Sequence, residues 1–103
     1  MIYQLRIYEI FEHNKAAFHQ RWREHAMRIM TTRHGFKHLA MGESKHEGRT
    51  EWVYLLEWPD LATKEEAWRR FLADPEWVEI KRVTKAQHGD LVGEIEDRVL
   101  ERV

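Results

Sequence analysis

Seven histidines invite a search for metal ligation or proton transfer, and their spacing argues against the first. His13, His19 and His25 lie six apart, roughly 240° around a helix, so none of them shares the i,i+4 face that brings two imidazoles together. His34 and His38 are four apart, but Gly35 interrupts any helix between them. No metal ligand set emerges, and the chain has no cysteine to supply a thiolate. His25 stands apart, because it falls seven residues after Phe18 and four before Ile29. That position is on the face of a helix expected to meet a sheet, where an imidazole could shuttle a proton or ligate a haem iron. The competing reading is a core-edge histidine bonded to a backbone carbonyl. His34 reads as a helix-end residue.

Arg6 and Tyr8 share one strand face, where either a ligand anion or a carboxylate such as Glu94 or Glu96 would satisfy the guanidinium. Trp52, Tyr54 and Trp58 alternate along another strand, while Trp22, Trp68 and Trp77 belong to helical segments. Aromatic walls of this kind suit planar ligands and also suit ordinary cores. The candidate ligand-binding residues are therefore Arg6, Tyr8, Trp22, Tyr54 and Trp68, with His25 as the candidate catalytic group. Nucleophilic catalysis has little support, since Ser44 is the only serine. No glycine-rich phosphate loop is present.

The elements that must position these residues follow from changes of period. Residues 2–11 alternate, with Tyr3, Leu5 and Ile7 on one side and Gln4, Arg6 and Tyr8 on the other. From Asn14, an expected N-cap, the apolar residues Phe18, Trp22, Ala26 and Ile29 trace a long helix that stops at Gly35. Segments 36–46 and 50–58 read as a hairpin turning at Glu47, Gly48 and Arg49, and Pro59 ends it. Asp60 or Thr63 caps the next helix, and Asp74 with Pro75 restarts it as another. Alternation returns after Gly89 in a last strand.

The order β-α-β-β-α-β over residues 1–103 is that of a single ferredoxin-like α+β domain, two halves of about 50 residues each. Helices on one side of a four-stranded antiparallel sheet leave its other face bare, and Tyr8, Arg6 and part of the aromatic third strand are expected there. The simplest cover is a second copy, which predicts a homodimer. With 17 basic against 18 acidic residues, no field favours nucleic acid or a membrane surface. No apolar run is long enough to span a bilayer. The absence of cysteine and of a leader-like N-terminus predicts a cytoplasmic protein.

Six ordered blocks carry a resemblance: IYQLRIYEI at 2–10, FHQRWREHAMRIM at 18–30, HGF at 34–36, VYLLEW at 53–58, EEAWRRFLADPEW at 65–77 and EIEDRVL at 94–100. Together they resemble the NIPSNAP family over nearly the whole chain. The resemblance implies a dimeric α/β barrel and leaves the reaction unassigned. The wider superfamily sharing that barrel includes cofactor-independent quinol monooxygenases, haem-degrading monooxygenases and muconolactone isomerases. By that analogy the pocket suits flat hydrophobic ligands, and haem is a conceivable cofactor. The expectations are thus a NIPSNAP-type protein holding a hydrophobic or aromatic small molecule between sheet and helices, a monooxygenase or isomerase with His25 as proton shuttle, or an interaction module.

Overall fold

The computed structural model describes all 103 residues. Strand β1 (Ile2–Ile10) leads through a 3-10 turn (Glu12–Asn14) into α1 (Lys15–Arg21), a wider helical turn (Trp22–Ala26) and α2 (Met27–Arg33). The hairpin β2 (Lys37–His46) and β3 (Arg49–Trp58) follows, then α3 (Leu61–Ala73), α4 (Pro75–His88) and β4 (Val92–Glu101). The sheet has the order β2-β3-β1-β4, and every neighbouring pair is antiparallel. This is the ferredoxin-like α+β arrangement that the element order predicts.

Local chemistry sets the boundaries. Gly35 has φ +73°, the left-handed conformation that ends α2. Glu47 (φ 51°) and Gly48 (φ 77°) both have positive φ, as a two-residue hairpin turn of right-handed twist requires. Asp60, rather than Thr63, caps α3 by accepting from the Thr63 amide at 2.7 Å. Asp74 caps α4 by accepting from the amides of Glu76 and Trp77 at 2.9 and 3.3 Å, with Pro75 in the first turn. Asn14 precedes α1 but makes no cap. Its Nδ2 donates instead to the carbonyls of His88 and Asp90, pinning the start of α1 to the end of α4.

Within the long helix the Met27 amide reaches back to the carbonyl of Trp22, an i→i−5 bond that marks a π turn. Such a turn holds one residue more than regular helix does, and it often lies at functional sites.

The sheet faces are the reverse of the sequence expectation. Register pairs Tyr8 with Trp52, Arg6 with Tyr54 and Gln4 with Leu56, and these side chains turn toward the helices. There Tyr54 is 1% exposed and Gln4 1%, and Tyr8 packs against the core. The open face instead carries Tyr3, Leu5 and Ile7 from β1 beside Val53 and Leu55 from β3, all half-buried in the single chain. Alternation shows that a strand has two faces without saying which is covered. Here the bulkier set, Trp52, Tyr54, Leu56 and Trp58, fills the space under the helices, and pairing carries Gln4, Arg6 and Tyr8 inward with it.

Candidate functional site

All five candidate ligand residues form one connected group at the inner face of the sheet, Arg6, Tyr8 and Tyr54 from its strands and Trp22 and Trp68 from the helices over it. Arg6 donates from Nη2 to the Tyr8 hydroxyl at 3.1 Å and from Nε to the Tyr54 hydroxyl at 3.5 Å. The two hydroxyls lie 2.5 Å apart. The guanidinium also stacks over the Trp68 ring at 4.4 Å. Trp22, at the head of the π turn, sits over Tyr54 with ring centroids 4.7 Å apart.

Arg6 finds its carboxylate in Asp97, at 3.4 Å, and not in Glu94 or Glu96. The register explains this. Asp97 lies opposite Arg6, whereas Glu96 lies opposite Ile7 on the open face, and Glu94 pairs with Arg49 at 2.8 Å. Burial works against the Arg6 charge, but the Tyr8 and Tyr54 hydroxyls beside it raise its pKa overall, so it is a fixed cation. Burial, followed by the neighbouring Tyr8, lifts the Tyr54 phenol well above the usual range, keeping it protonated.

Counting protons exposes what the group can offer. Both tyrosine oxygens accept from Arg6, and one hydroxyl proton is spent between them. The other hydroxyl proton has no protein acceptor. Beside it, the indole N–H groups of Trp22 and Trp52 and both ring nitrogens of His38 are buried without a partner. The rings of Trp52 and His38 lie 5.5 and 5.6 Å from that of Trp22, and His38 lies 5.8 Å from Tyr54. Burial lowers the His38 pKa from 6.5 to about 4, so its ring is neutral at pH 7 and offers one donor and one acceptor. The group is rich in donors, and its unmet demand is for acceptor oxygens. A space of about 30 Å³, room for about two water molecules, lies between Tyr8, Phe18, Arg21, Trp22, Phe71 and Trp77 and is not lined by His38, Trp52 or Tyr54, so an occupant that meets those donors must part the aromatic side chains.

Sequence reasoning missed His38. Its signal was available, because it stands two residues after Phe36, and Phe36 is 4% exposed on the inner face. His25 departs from its expected place. It faces α4 rather than the sheet, lining a groove between α1 and α4, and its Nδ1 is buried without a partner. The π turn accounts for the difference, since the extra residue rotates His25 away from the direction that regular helical spacing assigns it. No group of three or more histidine, cysteine or acidic side chains could hold a metal, and no helix is long and apolar enough to cross a membrane.

The family model for NIPSNAP matches residues 3–103. The chain belongs to the NIPSNAP family. A solved protein from Agrobacterium tumefaciens superposes on this NIPSNAP chain with a TM-score of 0.82 at 19% identity, covering 100% of this chain and 94% of that one. An uncharacterized NIPSNAP domain protein from Burkholderia xenovorans gives 0.81 at 16%, covering 100% and 95%. A structure named antibiotic biosynthesis monooxygenase gives 0.60 at 16%, covering 100% and 99%. At such identities the likeness speaks for the fold. None of the curated proteins matches this NIPSNAP sequence.

Proposed function

We propose that this NIPSNAP protein binds a flat hydrophobic molecule bearing acceptor oxygens, a quinone or phenol, between the sheet and the α1–α2 helix. The carrying observation is the set of buried donors without partners, namely Trp22, Trp52, His38 and one of the Tyr8–Tyr54 hydroxyls, within a wall of aromatic rings. Leaving a buried donor unmet costs about 1–3 kcal/mol, and a ligand oxygen would recover that for each donor it meets. Calorimetric titration with 1,4-naphthoquinone, 2-naphthol and naphthalene tests the reading. The oxygenated rings should bind at least tenfold more tightly than naphthalene, and His38→Phe should erase that margin. Equal binding of naphthalene, or no binding of any of the three, would refute it.

The same cluster suits a cofactor-independent monooxygenase or isomerase, with His38 rather than His25 nearest the phenolic oxygens. A base of pKa about 4 is weak at neutral pH, which favours binding over turnover.

The protein also works as a cytoplasmic homodimer in this reading, two open sheet faces meeting at Leu5, Ile7, Val53 and Leu55. An apolar strip of this kind on β1 and β3, at the middle of the sheet, supports it. Light scattering should give twice the 12.6 kDa chain mass, and Ile7→Asp should return a monomer. A folded wild-type monomer at micromolar concentration would rule this out.

A further inference from the structure

The groove between α1 and α4 has a volume of about 250 Å³. Ala17, Ile80 and Val83 give it an apolar floor. At its edge stands Arg21, half-buried, which makes no ion pair and no hydrogen bond from its guanidinium, lies 5.3 Å from the Trp77 ring and is close enough to Tyr8 to interact with it. Of the other cations on the same helix, Arg23 is exposed to water, and two further on are matched. Arg28 pairs with Glu76 at 2.7 Å and Arg33 with Asp74 at 3.2 Å. The one carboxylate lining the groove, Glu79, is already held by both Nε and Nη2 of Arg82 at 2.9 and 2.5 Å.

A cation taken partly out of water without a counter-charge is unfavourable, and burial duly pulls the Arg21 pKa below its ordinary value. His25 adds a second unmet group, its buried Nδ1. The Thr84 hydroxyl donates to the Ile80 carbonyl at 2.7 Å, so it can only accept from a ligand. A guanidinium fork at one end and aliphatic side chains along the floor describe a molecule with a carboxylate head and a short apolar body.

We propose that the α1–α4 groove is a second ligand site, which takes a small amphipathic carboxylate with its head on Arg21 and its chain along Ile80 and Val83. The inference stands apart from the interior reading in taking an anion in place of a neutral ring and in resting on α4, while Arg21 also borders the interior space.

Amide chemical-shift mapping and calorimetry with sodium octanoate, against octanamide as the uncharged control, test it. Octanoate should move the amides of residues 17–25 and 79–88, and octanamide should bind at least tenfold more weakly. Arg21→Gln and Val83→Trp, which remove the charge and fill the groove, should each weaken octanoate at least tenfold, while His38→Phe should leave it unchanged. Arg21→Gln should also melt at or near the wild type, because the relief of a half-buried unpaired charge offsets the lost stacking on Trp77. No shift at millimolar octanoate, equal binding of octanamide, unaltered binding to Arg21→Gln, or loss of octanoate in His38→Phe would each overturn the proposal.

Discussion

Two stretches of the inner sheet face carry similar side chains and treat them oppositely. Around Gln4, every polar atom is matched. Its Oε1 accepts from the indoles of Trp58 and Trp68 at 3.0 and 2.7 Å, and its Nε2 donates to Asp97 at 3.0 Å. Around Trp22 and His38, two indole N–H groups and a whole imidazole go unmatched. A buried network that is complete fixes the packing, whereas an incomplete one costs stability. The first region is scaffold. The second sacrifices stability in the manner of a site kept ready for a partner.

The largest effect should come from breaking the complete network. Gln4→Leu strands two indole donors and one oxygen of Asp97, at a cost of about 2–4 kcal/mol, or on the order of 10–20 °C in Tm by calorimetry. Little change would mean that the two regions do not differ as described.

Next comes the set of bonds that converges on Asp74 at the α3–α4 junction. Asp74 is 6% exposed and receives the His34 ring at 2.8 Å, Arg33 at 3.2 Å and two cap amides. Burial alone would raise its carboxyl, but these partners, His34 foremost, hold it at about 2 against an ordinary 3.8. A carboxyl depressed in the fold contributes fully above pH 3.8 and loses its contribution as pH falls toward 2. Asp74→Asn should therefore lower stability at pH 7 by about 1–2 kcal/mol and flatten the acid limb of a Tm-against-pH curve below pH 4.

The smallest effect at neutral pH belongs to the incomplete region. His38→Phe removes two unpartnered nitrogens and should shift stability at pH 7 by less than about 1 kcal/mol, in either direction. Its signature is in the pH profile. The folded ring, at about 4, takes up its proton later than the unfolded ring at 6.5, so the wild type loses stability as pH falls from 6.5 to 4. The Phe variant should lack that slope in chemical denaturation at pH 7, 5.5 and 4.5. An equal slope would show that another group titrates there.

Most of the fold was legible in the sequence because period changes and caps are local. Asp74–Pro75, Gly35 and the Glu47–Gly48 turn each act within a few residues. The face of β1 was not legible, since Tyr3, Leu5 and Ile7 make as good an inner surface as Gln4, Arg6 and Tyr8 when the strand is read alone. The deciding fact is non-local: the volume of Trp52, Tyr54 and Trp58 across the ladder. A Tyr8→Asp change therefore strikes the inner packing rather than a dimer face. Arg6, Tyr8 and Tyr54 came together because they share that inward face, which Trp22 and Trp68 meet from the helices, while His25 was displaced by a π turn that simple helical spacing does not foresee.

That turn bears on which changes of length the helix tolerates. Phe18, Trp22, Ala26 and Met30 are all buried and stand at strict intervals of four. In regular helix each such interval overshoots a full turn by roughly 40°, so the file would wander by about 120° from first to last. Counting the π residue as an extra shortens the effective separation of Phe18 and Met30 by one, which leaves them roughly 20° apart on a common line. Deleting a residue from most helices swings everything beyond it by about 100°. Removing the exposed Glu24 here should instead relax the bulge to plain helix, with Phe18 and Met30 still seated. The protein would then keep its fold while His25, beyond the deleted residue and within the turn, loses its aim, so the extra residue sets the direction of that side chain rather than the seating of the helix.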